Sequence, residues 1–180
     1  MTSSDETPER QRPAVFLDRD GTLIEDRHYL SDPAAVRLFD GAAEAVRRLK
    51  EAGYAVVLVT NQSGIGRGYF TEKDYRAVHR ELCHQLASQG ADLDGAYHCP
   101  DAPGVAGEGT TCRKPSPVLY RRAEGELGLD LRRSWFVGDK VSDVEAAELL
   151  GGRGVLVRTG YGREESSKAP QGCAIFYDMA

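Results

Sequence analysis

No stretch of this 180-residue chain approaches the ~20 apolar residues of a membrane-spanning helix, and the N-terminal MTSSDETPERQRP has no apolar core of the kind that directs export. A cytoplasmic location away from membranes is the expectation. An excess of positive charge is missing too, since 23 Lys and Arg stand against 28 Asp and Glu, a net charge of −5 with a pI near 5.4. Nucleic acid finds no general attraction on such a surface, so an anionic ligand must be held by a locally basic pocket. Cysteine is scarce. The four present (Cys83, Cys99, Cys112, Cys173) could form two disulfides, but a cytoplasmic chain of this size has no need of them. Internal repeats and low-complexity segments are also lacking, and nothing demands more than a monomer.

What is there is an ordinary globular composition, 41% hydrophobic, of a length for one domain. Residues 1–12, charged and rich in Ser, Thr and Pro, read as a disordered tail, and residues 13–180 as the domain. Ala14 to Leu17 is a short apolar strand ending at Asp18. Asp40 reads as the N-cap of a helix over Gly41 to Ala52 that Gly53 stops, and Tyr54 to Val59 follows as a buried strand. Thr71 is placed to cap a helix running to about Gln89, with Gly90 ending it, before a weaker strand at Ala96 to His98 and a long loop to Pro115. A helix over Pro117 to Leu127, a strand over Ser134 to Val137, a helix over Ser142 to Leu150 and a strand over Val155 to Val157 complete the pattern. Alternating apolar strands and amphipathic helices predict an α/β fold, a mostly parallel sheet with helices on both faces and ligands beyond the strand C-terminal ends.

Chemistry-bearing residues sit at those ends. FLDRDGTL sets Asp18 and Asp20 two residues apart, suiting one to attack phosphorus and the other to act as acid and then base; a pair of turn aspartates is the plainer alternative. In VLVTNQSGIGRG, Thr60 follows a strand and precedes small polar residues whose hydroxyls and N–H groups can hold phosphoryl oxygens. That segment has neither the GxxxxGK of a nucleotide loop nor a dinucleotide fingerprint. CRKPSP offers Arg113 and Lys114, the fixed cations that a carboxylate attacking an anion requires. VGDKVSD offers Asp139 as a hard oxygen ligand for Mg²⁺, with Asp143 either a second ligand or a helix-capping acid.

With these motifs in this order, the chain resembles the haloacid dehalogenase (HAD)-like phosphatases over about residues 13 to 160. Within them it looks most like the heptose bisphosphate phosphatases and the histidinol-phosphatases, through FLDRDGTL, TNQSGIGRG, CRKP and VGDK. The resemblance implies a three-layer Rossmann-like fold and an Mg²⁺-dependent phosphatase forming an aspartyl-phosphate. Asp18 would be the nucleophile and Asp20 the acid/base. Thr60 and Lys114 would grip the phosphoryl group, and Mg²⁺ would lie on the Asp18 carboxylate, the Asp20 carbonyl and Asp139. Substrate contacts would come from Asp26, Arg27, His28, Tyr29, Asn61, Gln62, Ser63, Arg113 and Lys140, and the substrate would be a small phosphorylated sugar, with histidinol phosphate the alternative. No insert between the motifs is long enough for a separate cap domain. A phospho-accepting signalling module, which shares the Asp, Thr, Lys and Mg²⁺, is the reading from another class; Asp20 speaks against it, because such a switch has no use for a group that hastens its own dephosphorylation.

One loop departs from the resemblance. Relatives carry a structural zinc there, on a Cys-x-His and a Cys-x-Cys pair, where this chain has Cys99 and Asp101, then Thr110 and Cys112. With two ligands replaced, the expectation is a loop that folds without Zn²⁺, although Cys99, Asp101 and Cys112, with His98 nearby, remain conceivable ligands. A Cys99–Cys112 disulfide is disfavoured by the expected reducing compartment.

Overall fold

The computed structural model describes residues 11–104 and 111–180. Most of the tail expected at residues 1–12 therefore lies outside the described residues, as does Thr110. Arg12 belongs to the first strand rather than to the tail, and the strand opens two residues before the expected Ala14, since β1 spans Arg12–Leu17 and the Arg12 N–H donates to the Gly128 carbonyl at 3.2 Å. The chain continues as α1 (Ala42–Glu51), β2 (Ala55–Asn61), a single-turn α2 (Ser63–Gly66), α3 (Glu72–Ser88), β3 (Gly95–Cys99), α4 (Val118–Leu127), β4 (Leu129–Gly138), α5 (Val141–Leu150), β5 (Arg153–Val157), a short α6 (Gly162–Glu165) and β6 (Ala174–Phe176).

Six parallel strands lie in the order β3-β2-β1-β4-β5-β6. The winding reverses at β1, so the crevice beyond the C-terminal ends of β1, β2 and β4 is where such a sheet gathers ligand-binding loops. Strand alternation divides the core into two layers. Val15 and Leu17 of β1, with Val56 and Leu58 of β2, pack against Val46 of α1 and Val78, Leu82 and Leu86 of α3. Ala14 and Phe16, with Val57 and Val59, face the other way against Leu119 and Tyr120 of α4 and Ala146, Ala147 and Leu150 of α5. Each such large apolar side chain contributes about 1.5–3 kcal/mol on burial. Phe16 is a hub, with ring centres 5.1 Å from Tyr120 and 5.0 Å from Phe136.

Local signals account for most boundaries. Thr71 and Asp74 form a reciprocal capping box at the start of α3. All four long helices run out into glycines with positive φ (Gly53, Gly90, Gly128, Gly151), at the edge of the sheet opposite the crevice. Asp40, expected as the α1 cap, is not one. Gly41 takes that position with φ 78°, and no side chain bonds the helix start. β4 begins five residues before the expected Ser134, because Leu129 and Leu131 are buried while the Asp130 carboxylate collects the N–H groups of Arg132 and Arg133 in an irregular step. No helix among the described residues is long and apolar enough to cross a membrane.

Candidate active site

Asp18 prolongs β1 by one bond, its N–H donating to the Val137 carbonyl at 3.0 Å, and its carboxylate is 6% exposed. Lys114, reaching in from the loop before α4, donates from Nζ to Asp18 Oδ1 at 2.8 Å and to the Val59 carbonyl at 2.8 Å, and lies 2.6 Å from Asp143 Oδ1. Asn61 at the end of β2 fixes that loop, its Oδ1 accepting the Lys114 N–H at 2.9 Å. Burial alone would push the Asp18 carboxyl up, but the charges of Lys114 and Lys140 and the Lys114 hydrogen bond hold it below the usual carboxylate range. Burial acts against the Lys114 ammonium, yet Asp143 and Asp18 raise its pKa and keep it charged. Asp143 is pushed up by burial, with Lys114 only partly offsetting it.

Asp139 follows β4 and is fully buried. Its Oδ2 accepts the Tyr161 N–H at 2.8 Å, while its Oδ1 has no hydrogen-bond partner, the nearest ammonium, Lys140 Nζ, standing 3.9 Å away. A Cβ on Gly21 or on Gly160 would collide with this carboxylate, so two glycines leave it room. Burial, then the charge of Asp18 and that of Asp143, push its pKa up to about 7 against the pull of Lys140. Ligand atoms of Asp18, Asp139 and Asp143 all lie within 4.8 Å of one another. Asp143 already serves Lys114 and, through Oδ2, the Lys140 N–H at the start of α5. The donor set left over, Asp18 and the orphaned oxygen of Asp139, is anionic and all-oxygen, and fits a hard divalent cation such as Mg²⁺.

Asp20 is held apart from that cluster. Arg19 Nε and Nη2 donate to its two oxygens at 3.0 and 3.1 Å, and Gln62 Nε2 donates to Oδ2 at 2.9 Å and to Thr60 Oγ1 at 3.0 Å. Thr60, 1% exposed, thus stands within one amide of Asp20 at the floor. Sequence reasoning passed over Arg19; its signal is a charged residue where β1 alternation points into the α3 layer.

Above these groups opens a cleft of about 510 Å³ that gathers Asp26, His28, Tyr29, Asn61, Gln62, Ser63, Arg113 and Lys140 from four separate segments. Arg27 is not brought in. It pairs with Glu25 at 2.7 Å on the outer surface. His28 and Tyr29 take left-handed φ values of 42° and 52°, a turn stabilised by Asp26 Oδ1 accepting the His28 N–H at 2.9 Å. Tyr161, which sequence reasoning also missed, carries the Lys140 ammonium 4.6 Å above its ring and holds its hydroxyl 3.3 Å from His28 Nδ1. Its signal is the TGYG turn after a fifth strand end.

The loop beside Lys114 corrects an expectation. Cys99 and Cys112 are joined by a disulfide, Cα atoms 5.5 Å apart. The cause is delivery to one spot: Cys99 pairs in register with Asn61, and Asn61 clamps Lys114 two residues past Cys112. Asp101 lies alongside, its Oδ2 accepting the Thr111 hydroxyl at 2.9 Å. Sulfurs bonded to each other are not the thiolates a zinc ion takes. His98 turns away, 3.0 Å from Glu72 and 4.0 Å from the Tyr75 ring centre.

Over 153 residues, 82% of this chain and 81% of the other, the sequence is 47% identical to a Yersinia pestis protein named D-glycero-beta-D-manno-heptose-1,7-bisphosphate 7-phosphatase. Residues 111–178 match the HAD-hydrolase-like family model. The chain belongs to the HAD-like phosphatases. Among solved structures, this HAD-like phosphatase is similar to a D,D-heptose 1,7-bisphosphate phosphatase from B. bronchiseptica complexed with magnesium and phosphate. The TM-score is 0.85 at 34% identity, covering 93% of this chain and 94% of that one. A putative HAD-like phosphatase from Mesorhizobium loti gives a TM-score of 0.73 at 40% identity, covering 83% and 74%. In the present HAD-like phosphatase the described connections at the cleft end of the sheet hold only loops and short helical turns (Pro33–Ala35, α2, α6 and Ser166–Lys168), with no second folded unit among them.

Proposed function

We propose that this HAD-like phosphatase is an Mg²⁺-dependent hydrolase of a sugar phosphomonoester, acting through an aspartyl-phosphate on Asp18 and releasing the C7 phosphate of D-glycero-D-manno-heptose 1,7-bisphosphate. The observation that carries it is the buried Asp18 carboxylate, kept ionised by Lys114 at 2.8 Å at the floor of the cleft. With Oδ1 engaged, Asp18 Oδ2 bonds to phosphorus, and the bond from phosphorus to the sugar oxygen breaks with its electron pair on that oxygen. Asp20 gives that oxygen a proton. Asp20, now a carboxylate, takes a proton from water as the water oxygen bonds to phosphorus and the Asp18–phosphorus bond breaks. Thr60 and Lys114 hold phosphoryl oxygens throughout. Mg²⁺, bound by Asp18, Asp139 and the Asp20 carbonyl, would supply charge neutralisation between nucleophile and phosphate.

The sugar bisphosphate is supported by the names of the relatives and by Arg113. Its Nη1 is buried without a hydrogen-bond partner, and burial together with the charge of Arg67 holds its pKa below the usual arginine value. Lining the same cleft, it offers a second phosphate a charge-assisted anchor. A phosphatase screen over heptose 1,7-bisphosphate, other sugar phosphates and histidinol phosphate with Mg²⁺, using Asp18→Asn as control, tests this. The expected result is highest kcat/KM on the heptose bisphosphate. Preference for histidinol phosphate would replace the sugar substrate, and a long-lived phosphoprotein releasing no phosphate would replace the enzyme by a phospho-accepting domain. The reading carries a monomer in the cytoplasm acting on a free metabolite, a compartment in which the Cys99–Cys112 disulfide would be open to reduction.

A further inference from the structure

Arg19 is the largest of the fully buried side chains, at 1% exposure. Taking a guanidinium out of water costs several kcal/mol unless its partners repay it, so its contacts tell what it is for. Among the described residues every side-chain hydrogen bond it makes ends in the cleft: Nε and Nη2 on the two oxygens of Asp20, and Nη2 on Gln62 Oε1 at 3.1 Å. None goes to the scaffold, and Nη1 has no partner. What fixes the guanidinium from behind is a ring, the Tyr75 face 5.5 Å below its central carbon. Tyr75 is braced in turn by His98 at 4.0 Å and His79 at 6.1 Å between ring centres, and His98 by Glu72.

We propose that Arg19 is the positioning residue for the Asp20 carboxyl, a planar fork pinned between α3 and the crevice that sets the orientation of Asp20 and, through Gln62, ties it to Thr60. Fork geometry matters because two parallel bonds fix the carboxylate plane, which a single ammonium cannot do. Gln62 follows from Arg19. With Oε1 accepting from Arg19, Nε2 is turned toward Asp20 and Thr60, whereas the reversed amide would set its oxygen against a carboxylate. The inference rests on Asp20 acting as the acid of the reading above.

Leaving-group chemistry separates positioning from general structural support. A sugar oxygen must receive a proton as it departs, whereas p-nitrophenolate leaves without one, and kcat/KM reports the reaction up to that departure. Arg19→Lys is expected to lower kcat/KM on heptose 1,7-bisphosphate (or the best primary sugar phosphate of the screen) by about 100-fold, and on p-nitrophenyl phosphate by less than about threefold. KM for the sugar phosphate should stay near the wild-type value. Gln62→Met, which spares the fork, is expected to show the same discrimination more weakly, and it carries the test if Arg19→Lys does not fold by circular dichroism. Equal losses on both substrates, or no loss on either, overturn the proposal. Asp20→Asn is run alongside. If that variant fails to discriminate, the assignment of Asp20 as acid is at fault; if it discriminates and the Arg19 and Gln62 variants do not, only the positioning role falls.

Discussion

Lys114 Nζ and Asp18 Oδ1 meet at 2.8 Å although ninety-six positions separate them in the chain, and both side chains are withdrawn from water. Under the proposed function, a carboxylate so fixed is the group that attacks phosphorus. Acid quenching during turnover of labelled heptose bisphosphate is expected to leave phosphate on wild-type protein and none on Asp18→Asn, whose kcat should fall on the order of 10⁴-fold. Label persisting on the variant would place the nucleophile elsewhere.

The same ion pair makes Lys114 a stability element. Lys114→Met strands Asp18 and Asp143 in the core, so unfolding free energy should drop by about 3–5 kcal/mol in urea melts, together with activity. Adding Asp143→Asn is expected to recover part of the stability and none of the turnover. Additive losses in the double variant would deny the coupling.

Three carboxylates share the space around Asp139 Oδ1. Without a divalent cation they repel, so Asp139→Asn in chelator should melt higher than the wild type, by ~2–4 °C for each kcal/mol relieved. Magnesium at a hundredfold excess over its Kd should stabilise the wild type by about 2.7 kcal/mol and leave the variant unmoved. A wild-type melting temperature indifferent to magnesium would remove the metal site.

Asp94 joins the start of β3 to β2, Oδ2 accepting the Val56 N–H and Oδ1 accepting from Arg12, each at 2.8 Å. Burial raises its pKa, but these bonds and the nearby Lys50 hold it below 3.8. A depressed carboxyl contributes stability above its unfolded pKa and loses it as pH falls through the folded one. Asp94→Ala should therefore cost about 1–2 kcal/mol at pH 7, with the gap to wild type closing below pH 3.8. A gap independent of pH would assign the effect to packing instead.

Of the four thiols, Cys83 and Cys173 are free. Denatured without reductant, the protein should yield two reactive thiols, and four after reduction, with no stoichiometric zinc. Four thiols accompanied by one zinc per chain would restore a metal to the Cys99–Cys112 loop.

What could be read from the chain follows from how local each signal is. Thr71 and Asp74 cap α3 with each other, three residues apart, Asp18, Thr60 and Asp139 announce themselves at strand ends, and Lys114 stands in the basic pair ahead of a helix start. The missed features depend on distant partners. Asp40 has good capping chemistry but loses the position to Gly41, whose left-handed φ turns the chain from Phe39 into α1. Arg19 looks like a surface residue until Tyr75, Gln62 and Asp20 close round it, and Tyr161 matters only because β5 delivers it against Asp139. The cysteine pair needed the β2–β3 register, which no spacing rule supplies.

The four left-handed glycines that end the long helices lie along the edge of the sheet opposite the crevice, and a Cβ at Gly53, Gly90 or Gly128 would meet nothing within 4 Å. Reshaping that rim changes how the scaffold holds together without rewriting which molecule is admitted. A tether grafted beside Gly90 would accordingly leave the mouth facing bulk solution, which makes that edge the natural handle for fixing this enzyme to a support.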